Sequence, residues 1–154
     1  PILAQTGWAL FADCDIVVKA DVDSLMQYAD SKYAVMCVKH KFDNLTGTKM
    51  DAQVQTAYPR KLWSSVMLVN ADHPANSRLT VRDVNERPGR WLHGFCWLHD
   101  SEIGELPPEW NVLVGLQPVP DNAALLHYTL GTPNLCGVEP LPEHSMWWDA
   151  RAAA

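Results

Sequence analysis

The amino-acid sequence predicts an α/β fold, built as a mixed sheet with short flanking helices, in a single domain spanning residues 1–154. Short apolar runs rich in β-formers alternate with segments of helical periodicity, which is the pattern of α/β proteins. The chain has 8 glycines and 11 prolines, many of them between these segments. Hydrophobic residues make up 47% of the chain, which is sufficient for one core of useful size.

The first half of the chain is predicted to contain three strands, a second short apolar run after the first strand, and one helix. The strands are at residues 8–12, 33–38 and 65–70, and the short run is residues 16–18. The helix covers about residues 22–30, and Asp21 and Asp23 are expected to cap its start. The polar stretch from Lys39 to Arg60 is long enough to form a functional loop over the strand ends.

The second half begins with a short amphipathic helix predicted within residues 77–86. Pro88 and Gly89 break the chain before an aromatic segment at residues 91–98. Two further strand-like runs follow, and a last helix is expected around the tryptophans near the end of the chain. These runs and tryptophans are residues 110–115, residues 123–129, Trp147 and Trp148.

Charge and cysteine usage restrict the class of protein. The net charge is −6 at pH 7 and the basic residues are scattered, which argues against nucleic acid or an anionic membrane surface as the main partner. No stretch approaches the roughly 20 apolar residues of a membrane span. The 4 cysteines lie far apart with no C-x-x-C pair, so we expect buried free thiols and a cytoplasmic localisation.

Two carboxylates, Asp13 and Asp15, follow the first apolar run. Side chains alternate along a strand, so both should project from one face at the carboxyl end of a buried strand, where open α/β sheets hold ligands. This arrangement suits a divalent metal. The D-x-D pattern is weak evidence by itself, because Asp21 and Asp23 repeat it in a different context.

His127 ends the last apolar run and is followed by a turn containing Gly131 and Pro133. Taken alone, a histidine in this position is more often a packed core residue than a ligand. Combined with Asp13 and Asp15, it completes a set of two carboxylates and one imidazole. Such a set suits Mn²⁺ or Mg²⁺ and leaves room for phosphate oxygens or water.

Four separate blocks now resemble a known family. In order and spacing, they are similar to the C-terminal part of the catalytic domain of an A-type nucleotide-sugar glycosyltransferase of family 8, glycogenin-like or lipopolysaccharide-galactosyltransferase-like. The resemblance runs from about Gly7 to Trp148 and implies a truncated nucleotide-diphospho-sugar transferase-like fold without the N-terminal nucleotide-binding βαβ units. The blocks are residues 9–15, 64–70, 106–111 and 127–133.

The resemblance also implies roles for individual residues. Asp13, Asp15 and His127 would hold Mn²⁺ or Mg²⁺, and Asp13 would also touch the donor. Gly131 would line the diphosphate, and the segment containing Ser65 would face the donor sugar. The expected partners are a nucleotide-sugar donor, with a UDP-sugar as the first expectation, and an unknown acceptor. The ion would stabilise the charge on the leaving diphosphate.

Two further pairs of residues have predicted roles. Asp100, with Glu102 as second choice, is the candidate catalytic carboxylate that would stabilise an oxocarbenium-like state near the anomeric carbon. The alternative is that both are solvated loop charges. Trp97 and Trp110 could stack on a sugar, but the simpler expectation is that they belong to the core.

Departures from the family pattern bear on activity. Thr132 stands where relatives often carry a phosphate-neutralising lysine, and Trp63-Ser64-Ser65 replaces Asn-Ser-Gly. If nothing covers the sheet beside residues 7–12, the strand there has an open edge. We therefore expect a weak or inactive transferase that associates as a homodimer through this edge.

Two other functional classes remain open at this stage. The chain could be a noncatalytic glycosyltransferase-like interaction module that binds a partner through its tryptophan-rich surface. It could also be a D-x-D phosphohydrolase, with Asp13 as nucleophile and Asp15 as acid. The hydrolase pattern expects Gly-Thr directly after the second Asp, whereas this chain has Ile16 and Val17.

Overall fold

A computed structural model describes residues 6–42, 47–48, 54–55 and 58–153 of the chain. The described part contains nine strands: β1 (Trp8–Ala12), β2 (Ile16–Val18), β3 (Val35–Cys37), β4 (Gly47–Thr48), β5 (Val54–Gln55), β6 (Val66–Asn70), β7 (Ile103–Glu105), β8 (Val112–Leu113) and β9 (Leu125–His127). The α-helices in these ranges are α1 (Val81–Glu86), α2 (Gly89–His93) and α3 (His144–Ala153). Short 3-10 helices lie at Val22–Tyr28, Trp63–Ser65, Pro74–Arg78, Asp100–Glu102 and Pro108–Asn111.

The described strands form two mixed sheets and one small hairpin. In the four-stranded sheet the order is β1-β6-β3-β7, with β6 antiparallel to both neighbours and β7 parallel to β3. The three-stranded sheet has the order β2-β9-β8, with β2 antiparallel and β8 parallel to β9. The hairpin pairs β4 with β5. The predicted α/β class with a mixed sheet and short helices is confirmed.

Three hydrophobic clusters hold these layers together. The first ties the two sheets to each other, because it joins Met36 of β3 and Leu68 of β6 to Leu125 of β9. The second covers the other face of the four-stranded sheet and includes Phe95. The third packs the three-stranded sheet against α3, with Tyr128 among its buried members. The sheet junction therefore lies inside the core.

β6 occupies the middle of this arrangement because its side chains alternate between two apolar surroundings. Val66 and Leu68 belong to the first cluster, whereas Met67 and Val69 pack against the second. A strand covered on both faces has a nearly continuous apolar run, and this strand was predicted from such a run. Its last residue, Asn70, is buried and polar.

Asn76 connects the ends of β3 and β6 through buried hydrogen bonds. Its Nδ2 donates to the carbonyl oxygens of Ala34 and Asn70, both at 2.8 Å. Its Oδ1 accepts a hydrogen bond from the indole of Trp97 at 3.3 Å. Because this indole also packs against the second cluster, Trp97 is a core residue. Trp110 is 4% exposed and belongs to the first cluster, so it is a core residue as well.

The strand before Asp13 differs from the prediction. Sequence analysis expected a buried strand, but β1 is the outer strand of its sheet and exposes Leu10 and Phe11, by 39% and 46%. Within the described residues β1 pairs with β6 alone, so its other side is not covered by a strand. The homodimer expected from this edge stays a prediction.

Other elements differ in type or length. The predicted helix at residues 22–30 is the 3-10 helix Val22–Tyr28, in which Asp21 accepts a hydrogen bond from the backbone N–H of Asp23 at 3.0 Å. The aromatic segment at 91–98 begins inside α2 and continues as turns. Sequence analysis missed β7, which has only 3 residues and includes a glycine. The predicted loop at 39–60 contains β4 and β5, and most of its other residues lie outside the described ranges.

The cysteines were predicted to be buried, and this is wrong for three of them. Cys14, Cys96 and Cys136 are exposed, because they lie in turns rather than in strands. Cys37 lies in β3, and burial raises the pKa of its thiol to about 12. Among the described residues, no helix has both the length and the apolar character needed to cross a membrane.

The first testable prediction concerns the polar tie between β3 and β6. We expect Asn76→Ala to lower the free energy of unfolding by about 1–3 kcal/mol, because two buried carbonyl groups lose a donor. Asn85→Ala is the matched control: Asn85 is exposed on α1, and its replacement should change stability by less than about 0.5 kcal/mol. Urea unfolding followed by tryptophan fluorescence measures both. Equal midpoints for the two variants would contradict the assignment.

Candidate metal centre

Backbone pairing brings Asp13, Asp15 and His127 to one place. β1 ends at Ala12, opposite Val66, and the next N–H, that of Asp13, donates to the carbonyl oxygen of Ser65 at 2.9 Å. The chain then turns and enters β2, whose first residue Ile16 lies opposite His127 in β9. The carbonyl oxygen of Asp15 accepts a hydrogen bond from the backbone N–H of Tyr128 at 3.0 Å. The turn between the two sheets therefore carries both carboxylates to the end of β9.

The side chains of these three residues converge, as sequence analysis expected. The Nε2 atom of His127 lies 3.4 Å from Asp15 Oδ1 and 4.0 Å from Asp13 Oδ2. One ligand atom from each residue lies within 4.8 Å of the others. The side chain of His127 is 3% exposed, whereas those of Asp13 and Asp15 are 43% and 31% exposed. The imidazole thus forms the floor of a site that is open on its carboxylate side.

A chain of hydrogen bonds determines which nitrogen of His127 faces the carboxylates. The hydroxyl of Ser65 donates to the carbonyl oxygen of Leu62 at 2.8 Å, so its oxygen is left to accept from Asn111 Nδ2 at 2.9 Å. The other end of this amide, Asn111 Oδ1, lies 3.3 Å from Nδ1 of His127 and accepts from it. In the neutral imidazole Nε2 then carries the lone pair and points toward Asp13 and Asp15.

This donor set fits a hard or borderline divalent ion. Carboxylate oxygens and a neutral imidazole are ligands that Mn²⁺ accepts readily, and carboxylate oxygens are ligands for Mg²⁺. Ligand atoms about 2.1 Å from one ion lie roughly 3–4 Å apart, which is close to the spacing of these three groups. A buried histidine that donates its other N–H to a protein group is the usual arrangement of a metal-ligating imidazole.

Two residues near the site were not predicted from sequence. His40 follows β3, which runs parallel to β1, so both strands end at the same edge of the sheet. Burial, with a smaller contribution from His127, lowers the pKa of His40 to about 4, so this imidazole is neutral at physiological pH. Burial and the charge of Asp13 raise the pKa of Tyr58.

Asn111 was also missed as a positioning residue. It is fully buried and immediately precedes β8, whose Leu113 is paired with His127. The resemblance placed residues 106–111 near the substrates but gave Asn111 no separate role. The signal in the sequence was an asparagine directly before a short apolar run. No residue spacing could have linked it to Ser65, 46 positions away.

The structure places the other predicted donor-binding residues as follows. Gly131 lies in the turn after β9 with φ of +123°, a conformation that favours glycine, and its N–H donates to the carbonyl oxygen of Tyr128 at 2.7 Å. The hydroxyl of Ser65 is buried within the hydrogen-bond chain that ends at His127. The contacts of both residues with a donor stay predictions.

Asp100 lies outside the group formed by Asp13, Asp15 and His127. Its carboxylate is 88% exposed and pairs with Arg60 at 2.5 Å, and the hydrogen bond from Arg60 lowers the pKa of Asp100. Its predicted catalytic role stays a prediction. Glu102, the second choice, pairs with Arg78 and accepts a hydrogen bond from the backbone N–H of His99 at 2.8 Å.

Comparisons with known proteins give two kinds of similarity. No protein-family model matches the chain. Protein CDI of Arabidopsis thaliana is 46% identical over 132 residues, which are 82% of this chain and 51% of that protein. The chain therefore spans about half the length of this curated relative.

Solved structures with a similar fold include two of the glycosyltransferase GlyE from Streptococcus pneumoniae TIGR4. Their TM-scores are 0.62 and, for the apo form, 0.65, at 13% and 14% identity, covering 97% of this chain and 40% of GlyE. The bifunctional glycosyltransferase WbbM in its apo form gives a TM-score of 0.50 at 18% identity, covering 94% of this chain and 32% of WbbM. The chain has the fold of part of a glycosyltransferase, and its sequence is similar to about half of Protein CDI.

Proposed function

We propose that this chain is the metal-binding part of a glycosyltransferase catalytic domain that transfers a sugar from a nucleotide-diphosphate donor. The observation that supports this most directly is the convergence of Asp13, Asp15 and His127 in a glycosyltransferase-like fold. The assignment to family 8, and to the C-terminal part of its catalytic domain, belongs to the same proposal and rests on the sequence blocks described above.

Asp13, Asp15 and His127 would hold the ion, and Mn²⁺ or Mg²⁺ suits them best. When bound, such an ion neutralises negative charge that develops on the leaving diphosphate. Asn111 keeps Nε2 of His127 directed at the carboxylates. The positive φ of Gly131 allows the backbone after β9 to approach the diphosphate closely.

Further parts of the proposal concern the whole protein. The chain covers about half of its curated relative, so the donor, the acceptor and turnover are proposals. We propose a UDP-sugar as donor, Asp100 as a catalytic carboxylate and Ser65 as part of the wall that faces the donor sugar. Cytoplasmic localisation stays a prediction.

Binding of UDP should require a divalent ion, because the two carboxylates repel the diphosphate in its absence. We expect isothermal titration calorimetry to show binding of UDP with Mn²⁺ and at least a tenfold weaker affinity in EDTA. Equal affinity in both conditions would contradict the metal-dependent site. Binding of a UDP-sugar without transfer or hydrolysis would favour the noncatalytic module, and release of orthophosphate from phosphomonoesters would favour the hydrolase.

Removal of one carboxylate should weaken binding of the metal ion. We expect Asp15→Asn to reduce Mn²⁺ affinity at least tenfold, because the site loses one of its two negative charges and a strong oxygen ligand. Electron paramagnetic resonance of free Mn²⁺ measures this affinity without any donor. Asp121→Asn, which changes an exposed carboxylate in the turn before β9 that is not part of the group formed by Asp13, Asp15 and His127, is the control and should leave the affinity unchanged. Equal loss in both variants would show a nonspecific charge effect instead.

Asn111 should act on the metal only through His127. We expect Asn111→Ala to lower Mn²⁺ affinity about 10–100-fold, the usual effect of removing a hydrogen-bond partner of a ligating histidine. Imidazole ¹⁵N chemical shifts of the metal-free protein distinguish this role from a merely structural one. The native protein should carry its proton on Nδ1 of His127, and the variant should show a mixture of tautomers. Unchanged tautomers would contradict the positioning role.

A further inference from the structure

A cavity of about 780 Å³ lies between two segments of the chain, residues 58–63 and residues 87–100. Its volume is within the range of roughly 300–1,000 Å³ that is common for sites that bind small molecules. The sequence analysis assigned it no role apart from Asp100 at its edge. Its lining combines basic and aromatic side chains, which are Tyr58, Arg60, Trp63, Arg87, Arg90 and Trp91.

The lining carries three guanidinium groups and one carboxylate, in a protein whose net charge is −6. Arg60 and Asp100 neutralise each other as an ion pair. Arg87 pairs with a carboxylate of α1, with Nε 3.1 Å from Asp83 Oδ1. Arg90 is exposed and takes part in none of the ion pairs found in the described ranges. The cavity therefore keeps a net positive charge and favours an anionic ligand.

Two half-buried indoles supply apolar surface to the same cavity. Trp63 is fixed by a hydrogen bond from its Nε1 to the carbonyl oxygen of His40 at 2.8 Å. On Trp91, the guanidinium of Arg87 lies 5.1 Å from the ring centroid and the ring of Trp97 packs at 5.9 Å, so this indole is part of the cavity wall. On Trp63, Lys39 Nζ lies 5.7 Å from the ring centroid. Indole faces pack against the apolar faces of sugar rings, and guanidinium groups bind carboxylates and phosphates in a bidentate manner. Together they suit a sugar with an acidic substituent.

The backbone around the cavity is strained in both of its walls. Among the described residues, the non-glycine positions with positive φ are Arg60 at 59°, Leu62 at 68° and Phe95 at 50°. Hydrogen bonds hold this conformation, since Arg60 Nη1 donates to the carbonyl oxygens of Gly94 at 2.7 Å and Phe95 at 3.0 Å. Strained residues that the surrounding contacts keep in place occur most often at functional sites.

The wall formed by residues 58–63 also borders the metal centre. The carbonyl oxygen of Leu62 accepts the first hydrogen bond of the chain that leads to His127. Three residues later, the carbonyl oxygen of Ser65 accepts from the backbone N–H of Asp13. The cavity and the carboxylates are thus neighbours across one segment of chain.

From these contacts we infer that the cavity is the acceptor subsite, and that it selects a carbohydrate bearing an anionic group. This inference rests on the proposed function, because an acceptor must lie beside the donor whose diphosphate meets Asp13 and Asp15. The indole of Trp63 contacts the sugar ring, and Arg90 binds the acidic group.

The test uses binding alone, with no donor and with EDTA present. The probes are trigalacturonate and its fully methyl-esterified form, which keeps the sugar rings and removes the charge. We expect trigalacturonate to change the tryptophan fluorescence of the protein and to bind about tenfold more tightly than the ester, the usual effect of one charge-assisted hydrogen bond. Inorganic phosphate at the same concentration should not displace trigalacturonate, because phosphate has no sugar ring to contact the indole of Trp63.

Two arginine variants locate the site. Arg90→Gln should lower the affinity for trigalacturonate about tenfold and leave the affinity for the ester unchanged. Arg82→Gln is the matched control, since Arg82 is an exposed arginine of the neighbouring helix α1 that does not line the cavity, and it should change neither affinity. Circular dichroism checks that both variants fold.

Several results would overturn the inference. These are equal affinity for the acid and the ester, absence of binding by either, or full affinity in Arg90→Gln. Displacement of trigalacturonate by UDP in EDTA would also overturn it, because the cavity would then hold the diphosphate of the donor. If trigalacturonate binds but UDP does not bind with a metal ion, the proposed function is contradicted. The cavity then belongs to a module that binds acidic carbohydrates.

Discussion

The candidate site depends on the carbonyl oxygen of Leu62, which can only accept a hydrogen bond. Because Ser65 must donate to it, Asn111 must donate to Ser65, and the remaining amide oxygen must accept from His127. One acceptor thus sets the orientation of three side chains and leaves the lone pair of Nε2 facing the carboxylates. The three linked side chains come from the residue before β6, the residue before β8 and the end of β9, so the hydrogen-bond chain spans the junction of both sheets.

This hydrogen-bond chain is effective because the core surrounds it. Asn111 is fully buried, and its neighbours in sequence, Trp110 and Val112, belong to the first and third hydrophobic clusters. In such surroundings each hydrogen bond is stronger than in water, and an unmade one costs more. Packing between the sheets therefore also determines the orientation of the candidate ligand His127. A substitution in the first cluster that shifted β9 against β6 would also misalign His127.

Sequence analysis found the three candidate ligands but gave a partly wrong reason for their convergence. It relied on alternation along one strand, whereas Asp15 lies in a turn and is brought to His127 by the pairing of β2 with β9. The class of fold followed from local apolar runs. The cavity could not follow from them, since Arg60 and Arg90 meet only through contacts between distant segments, and β7 was too short to give a recognisable pattern.

The segment at residues 58–65 separates two opposite charge environments. On one side Asp13 and Asp15 repel an anionic group unless a cation accompanies it. On the other side the guanidinium of Arg90, which takes part in no ion pair among the described residues, supplies positive charge permanently. Under the proposed function, a donor diphosphate therefore brings or recruits its ion, whereas an acidic acceptor needs none. The same carboxylates would repel an acidic acceptor group that entered the donor side. Under the proposed function, this difference in charge orients the acceptor. Its acidic end binds at Arg90, so its uncharged end faces the sugar that is transferred.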